Sequence, residues 1–329
     1  MTHKAFPAFD TIGGTITNVK RFAYSDTKEW SLFNPSIGQS PQGYAITFRS
    51  SNYVIMPESG ELHVVNGDKI RNKVFFTETN EKMELLNLRE ISFAKSGLDI
   101  VRGVEDAKLF WRDDKWHFTG VVVERDIPVP RVGLFTLDPK ASTAKLIELY
   151  KGQNPKKPEK NWMAPYEKSK FFDYIHGPVS TVKGKQVIHN LSDNLKIAPL
   201  RGNTNLLTLD DGSYLAVVHI LYTKKTRTYD ARMFGMRDGL YKDYTHLFAR
   251  YDKQGTLLEL SEEFQFVSPG IEFAAGMVEM GNNLVITFGK EDVSSHYATI
   301  DKNTALRLLK PVSPRKPAKG DDLQQDQSS

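Results

Sequence analysis

The 329-residue chain contains no cysteine. Disulfides, thiol nucleophiles and cysteine-ligated zinc are therefore excluded, and a cytoplasmic protein is the expectation. Long apolar runs are missing too. Nothing approaches the ~20 consecutive apolar residues of a membrane-spanning helix. The first residues, MTHKAFPAFDTIGG, lack the apolar centre of a secretory signal. No glycine-rich phosphate loop sits beside a βα unit, and neither HExxH nor an EF-hand loop occurs, so no metal or other cofactor is expected. The NLS triplet at 190–192 matches a glycosylation sequon, but no secretory signal accompanies it.

Charge imbalance is also small. Lys and Arg number 44 against 40 Asp and Glu, a net charge of +4. The bases are spread along the chain, so the plain reading is a solvated surface. The densest basic run, KGQNPKKPEKNW (151–162), is interrupted by prolines and reads as a loop. It leaves a polyanionic acceptor such as modified DNA as a side branch, which would show as steep salt dependence of binding. The final KPVSPRKPAKGDDLQQDQSS is rich in Pro, charge and Gln. Residues 311–329 are expected to form a disordered tail behind a single domain, 1–310.

What the chain does have is a series of short β-rich runs split by turn residues; sustained helical periodicity is rare. Five segments share one layout of polar opening, strand, turn and second strand: FNPSIGQSPQGYAITFRS (33–50), VEDAKLFWRDDKWHFTGVVV (104–123), KNWMAPYEKSKFFDYIHGPV (160–179), GNTNLLTLDDGSYLAVVHI (202–220) and IEFAAGMVEMGNNLVITFGK (271–290). Their turns are SPQG, RDDK, EKSK, DDGS and GNN. A fixed layout at irregular spacing suits blades with loops of unequal length, and the expectation is an all-β, five-bladed β-propeller; a large sandwich is the structural alternative.

In a propeller the innermost strand of each blade starts near the axis. The polar openings, led by Asn34, Asp106, Asn161, Asn203 and Glu272, would then converge on one funnel. The second strands carry Arg49, His176 and His219, with Lys290 slightly later. A basic ring around one or two acids suits an anionic donor or leaving group. Adjacent strand residues point to opposite faces, so only one of Glu105 and Asp106 is expected to face the funnel, and Asp106 is the choice. His246 follows a Tyr- and Arg-rich connection and is expected to reach the site from a loop, as are Lys160, Arg201 and Tyr244. Trp162 reads either as a sugar-stacking platform or as a core residue.

The motifs FNPSI…YAITFRSSNY, RGVEDAKLF, KNWMAPY, RGNTNLLTLDDGSYLAVVH, YTHLFARYD and IEFAAGM…LVITFGKED run in order over 33–292. Together they resemble the five-bladed propeller family of β-mannoside phosphorylases and, more closely, its glycosyltransferase-like relatives. The resemblance implies inverting glycosyl transfer with one catalytic Asp, here Asp106. That residue is general acid through a sugar hydroxyl in phosphorolysis and general base in synthesis. It also implies a sugar-phosphate or nucleotide-sugar donor held by Arg49, Lys160, Arg201, His219, Tyr244 and His246, and a carbohydrate acceptor. Asn34, Asn161, Trp162, His176 and Glu272 are the sugar-binding candidates. The EDAK motif departs from the family's EDPR, with Ala107 for Pro and Lys108 for Arg. Two other readings stay open: an inverting hydrolase using Asp106 and Glu272, and a non-catalytic glycan-binding propeller.

Overall fold

The computed structural model describes residues 6–18, 30–55, 62–65, 69–93, 100–124, 129–150, 158, 160–163, 200–225, 240–253 and 257–312. Strand β1 (Gly14–Asn18) opens the chain but joins the last sheet. The first blade is β2 (Ser31–Ser40) and β3 (Gly43–Ser51), then β6 (Asn72–Thr79) and β7 (Arg89–Glu90) after a small ribbon of β4 (Tyr53–Ile55) and β5 (Leu62–Val64). The second is β8 (Ile100–Arg112), β9 (Lys115–Glu124), β10 (Arg131–Asp138) and β11 (Thr143–Tyr150).

The next blade combines β12 (Arg201–Gly202), β13 (Leu207–Thr208), β14 (Tyr214–Lys225), β15 (Leu240–Tyr251) and β16 (Leu257–Leu260). The last is β17 (Glu272–Met280), β18 (Asn283–Lys290) and β19 (Ser294–Asp301), with β1 as its outer strand. After β19, helix α1 (Lys302–Arg307) is capped by the Asp301 side chain on the Thr304 amide, and β20 (Lys310–Pro311) pairs back with β16. Among the described residues no helix is long and apolar enough to cross a membrane.

The architecture is all-β and propeller-like, but the described residues form four blades, not the five expected. Of the third expected unit, 160–179, only 160–163 lie among them; His176 and the EKSK turn lie outside. The other four turns are found where expected. In the RDDK turn, Asp113 and Asp114 have φ of 49° and 57°. This is the left-handed pair that a two-residue hairpin loop requires, and Asp tolerates it through local hydrogen bonding.

The ring is held by apolar faces between neighbouring sheets. Ile46 and Phe48 of β3 share a core with Val278 and Val285 of the last blade. Val74 and Phe76 pack with Leu109, Phe118 and Phe135 of the second blade. Val132 joins Trp162, Leu200 and Val218, and Val217 and Phe248 join Met277 and Phe288. Second strands lie between two sheets, so β9 reads as a continuous buried run rather than an alternation. The first strands β2, β8 and β17 contact one another, which sets them nearest the axis.

Candidate active site

Each of those three inner strands is bulged at the same level. The register shifts between Phe33 and Ser36, between Glu105 and Lys108, and between Ala274 and Gly276. A bulge inserts unpaired residues and re-aims a side chain. Asn34 and Asp106 occupy two of these bulges with φ of 46° and 51°, and Asn161, leading the third unit, has φ of 66°. Non-glycine residues in this region are uncommon, and Asn and Asp are the side chains that tolerate it best.

The bulge corrects the expectation about the acidic pair. With alternation broken, both carboxylates reach Arg49. Its guanidinium donates to Asp106 Oδ1 at 3.1 Å and lies 3.6 Å from Glu105 Oε2. Arg49 Nε donates to Asn72 Oδ1 at 2.9 Å, and Asn72 in turn donates to the Arg102 carbonyl and to Glu105. The guanidinium also lies 5.3 and 5.6 Å from the ring centres of Phe33 and Tyr53. Arg49 is thus immobilised and nearly sealed from solvent. Burial opposes its charge, but the surrounding acids more than compensate, and it stays protonated.

Asp106 Oδ1 accepts a second hydrogen bond from Asn34 Nδ2 at 2.9 Å, while no described residue hydrogen-bonds to Oδ2. Burial pushes the Asp106 carboxyl up. The Arg49 charge, the bonds from Asn34 and Arg49, and the Lys160 ammonium outweigh it and hold the carboxyl below its ordinary range. Asn34 Nδ2 also lies 3.5 Å from Oδ1 of Asp292, whose Oδ2 accepts from the Tyr53 hydroxyl at 2.7 Å. Burial, with Asp106 close by, raises the Asp292 carboxyl despite Arg49. Two neighbouring carboxylates are therefore driven apart in acidity, the pattern that separates acid from base roles. The sequence reading missed Asp292 and Tyr53. Both lay within quoted motifs, but a second carboxylate following Lys290 carries no signal until the blades are closed.

Gly289 makes the approach of Asn34 feasible. A Cβ there would fall 2.1 Å from Asn34 Oδ1 and 2.6 Å from its backbone nitrogen.

The basic candidates divide by depth. Arg201, His219 and His246 face one another across the ladder β12–β14–β15, so they form one row running outward from the innermost strand. Arg201 begins that row, and its buried Nε has no hydrogen-bond partner among the described residues. His219 follows, buried, its ring 5.0 Å from Tyr244 and 6.0 Å from Phe273. Burial, then neighbouring cations, push its pKa well below the ordinary value, so it is a neutral imidazole. His246 does not reach the funnel from a loop. It lies in β15, fully buried, 4.7 Å from Phe266 and 6.0 Å from Phe264. Burial pushes its pKa down to about 3. The exposed Lys160 interacts electrostatically with Asp106, Arg201, Lys242 and Glu105, and Tyr244 with Arg201 and Asp106. Lys242 is a cation the sequence reading passed over.

Two further expectations are corrected. Trp162 is a buried core residue beside Val132 and Leu200, not a sugar platform. Glu272 is wholly buried and accepts from the amides of Phe266, Val267 and Ser268 at 2.8, 2.8 and 3.0 Å, with Lys290 at 3.6 Å. Both its oxygens are tied to a loop and the side chain is sealed from solvent, so it is not placed to activate water for a substrate. Among the described residues no group of three or more His, Asp or Glu could hold a metal ion.

No protein-family model matches the chain, and no curated protein matches it by sequence. Solved structures do. A β-1,2-mannobiose phosphorylase from Listeria innocua superposes with a TM-score of 0.57 at 13% identity, covering 92% of this chain and 98% of its own. A mannose phosphorylase from Leishmania mexicana, in complex with phosphate, gives 0.56 at 12%, covering 94% and 96%. A GDP-Man-dependent mannosyltransferase from the same organism gives 0.55 at 13%, covering 87% and 90%. At these identities the likeness defines the fold alone, a β-propeller. In particular, it is the fold of the mannoside phosphorylases and of a mannosyltransferase alike.

Proposed function

We propose that this protein is a carbohydrate-active enzyme that moves a glycosyl group, with inversion, between a phosphate-bearing donor and a hydroxyl acceptor, and that Asp106 transfers the proton. One observation carries the reading. Asp106 is held through Oδ1 by Asn34 and Arg49, has Oδ2 free of described partners, and feels the charge of Lys160 within a cluster that includes Arg201 and Lys242.

A carboxyl held low is ionised at neutral pH and so is in the form that can accept a proton; its placement, not its basicity, is what the site supplies. In the synthetic direction the acceptor oxygen attacks the anomeric carbon. The bond from that carbon to the donor's phosphate oxygen breaks, its electron pair stays on the phosphate, and Asp106 takes the acceptor's proton. Phosphorolysis is the reverse. Such a base contributes about 10²–10⁴-fold, and Lys160, Arg201 and Tyr244 would stabilise the charge gathering on the phosphate. Arg49, committed to carboxylates, positions rather than binds donor. Asn34, Asp292 and Tyr53 would meet the glycosyl ring. The names of the structural neighbours make mannosyl the first group to try, as a sugar 1-phosphate or a nucleotide sugar. The hydrolase reading with Glu272 as base is disfavoured by that residue's three amide bonds.

The test is a thermal-shift screen against inorganic phosphate, hexose 1-phosphates and nucleotide sugars, followed by turnover of wild type and Asp106→Asn. A ligand at 100 times its Kd adds about 2.7 kcal/mol of stability. Stabilisation by phosphate and one sugar phosphate indicates a phosphorylase; stabilisation by a nucleotide and its sugar indicates a transferase. Asp106→Asn should fold and bind donor but lose turnover by at least about 100-fold. Turnover without phosphate or nucleotide, or an unimpaired Asp106→Asn, sinks the proposal.

A further inference from the structure

At the other end of the inner strands lies a groove of about 760 Å³ between the first and second blades, bounded by the β2–β3, β8–β9 and β10–β11 turns. Trp111 is five residues beyond Asp106 on β8, roughly 15 Å along an extended strand. The groove is thus separate from the funnel, and nothing in the proposed chemistry uses it. Its volume is in the range of small-ligand sites, about 300–1,000 Å³.

We propose that this groove is a second carbohydrate site, taking a neutral oligosaccharide. Three aromatic residues line it. Trp111 and Trp116 are cross-strand partners with ring centres 5.2 Å apart at 79°, and Tyr44 joins them from the neighbouring blade. Trp116 is buried against Phe76 and Gly38, while Trp111 is only part-buried. Leu86, 57% exposed, extends the apolar surface at the lip.

A pyranose has an apolar C–H face, which suits an aromatic ring, and a rim of hydroxyls, which suits paired donors and acceptors. The groove supplies both. Its charges balance: Glu78, Asp114 and Asp138 against Lys115, Lys140 and Lys145. That pattern favours a neutral ligand over an anionic one. Two of the acids are already oriented. Glu78 accepts from Arg89 at 2.8 Å, and Asp138 Oδ1 accepts from the amides of Lys140 and Ala141 at 3.0 and 3.1 Å. Fixed acceptors bind hydroxyls without a fresh ordering cost.

The experiment is calorimetric titration of the full chain with neutral tri- to hexasaccharides of the β-glucan, β-mannan and xylan types. At least one should bind, and Trp111→Ala should weaken it about tenfold or more. Because Trp111 also supports the core, the double variant Gln42→Ala/Lys145→Ala, at groove-lining positions outside the core, should weaken it as well. Asp106→Asn should leave this binding unchanged, which separates the proposal from the fate of the funnel chemistry. It is overturned if no oligosaccharide binds. It is equally overturned if binding survives both groove changes, or is lost in Asp106→Asn alone.

Discussion

Lys108 lies two residues past Asp106 with its side chain almost sealed from water. Its ammonium donates to the Trp162 carbonyl at 3.0 Å and lies 5.8 Å from the Phe273 ring centre. Burial pushes its pKa down to about 7, against the opposing pull of Asp106. The unfolded chain holds this proton up to about pH 10.5, the folded chain only to about 7. Between those values the unfolded state binds more protons, so this group makes stability rise with pH. Below 7 both states are charged and the cost of burying the ammonium is present in full. Lys108→Met should therefore flatten the wild-type rise between pH 7 and 10, read as the difference between the two urea midpoints across that range. Parallel curves for the two proteins would mean that Lys108 keeps its proton in the folded state and that burial does not lower its pKa. The same residue stands where the resembled family carries Arg, a cation that could not deprotonate. The EDAK motif thus couples the inner strand to pH in a way an arginine would not.

At the scale of the element, the inner-strand bulge does the positioning. Bulges in β2 and β8 aim Asn34 and Asp106 at each other, and close packing of β18 against β2 holds Asn34 in place. Gly289→Ala tests this, because its Cβ would collide with Asn34. The expected outcome is a folded but less stable protein with turnover reduced by about tenfold or more, since the methyl must push back the Asn34 backbone as well as its side chain, and losing the Asn34 bond leaves Asp106 less well placed. Wild-type turnover in that variant would show that Asn34 can shift freely and does not position Asp106. The hairpins themselves were legible in the sequence, because turn chemistry at SPQG, RDDK, DDGS and GNN brackets apolar runs of strand length. The bulges were not. Period-two alternation assigns Glu105 and Asp106 to opposite faces, and only the ladder register shows that it fails there. His246 illustrates the same limit. Its sequence neighbours suggest a loop, whereas the cross-strand row puts it two strands from the axis among phenylalanines.

At the scale of the whole molecule, the propeller arrangement and the meeting of Asn34, Arg49 and Asp106 could be read from the repeated layout. The roles of Asp292 and Trp162 could not, because they depend on which blades touch. Closure is the least legible part, since it is made by residues before the first repeat. β1 pairs with β19 over five residue pairs, Gly14 to Asn18 against Ile300 to His296. Just ahead of it, Phe9 is fully buried, 5.3 Å from Phe264 and 5.1 Å from Phe266, and its amide donates to the Gln265 carbonyl. Gly14 leaves room for that ring, because a Cβ would fall 2.1 Å from it. The N-terminal segment therefore fastens the last blade to the one before it and covers an otherwise open strand edge. Phe9→Ala should cost about 3–5 kcal/mol, seen as a lower denaturant midpoint with an unchanged slope. If the ring is one cooperative unit, backbone circular dichroism and tryptophan fluorescence will report the same lowered midpoint, even though all four tryptophans lie outside the last blade. If circular dichroism moves and fluorescence does not, the last blade unfolds alone. The N-terminal strand is then a local patch rather than the clasp of the propeller.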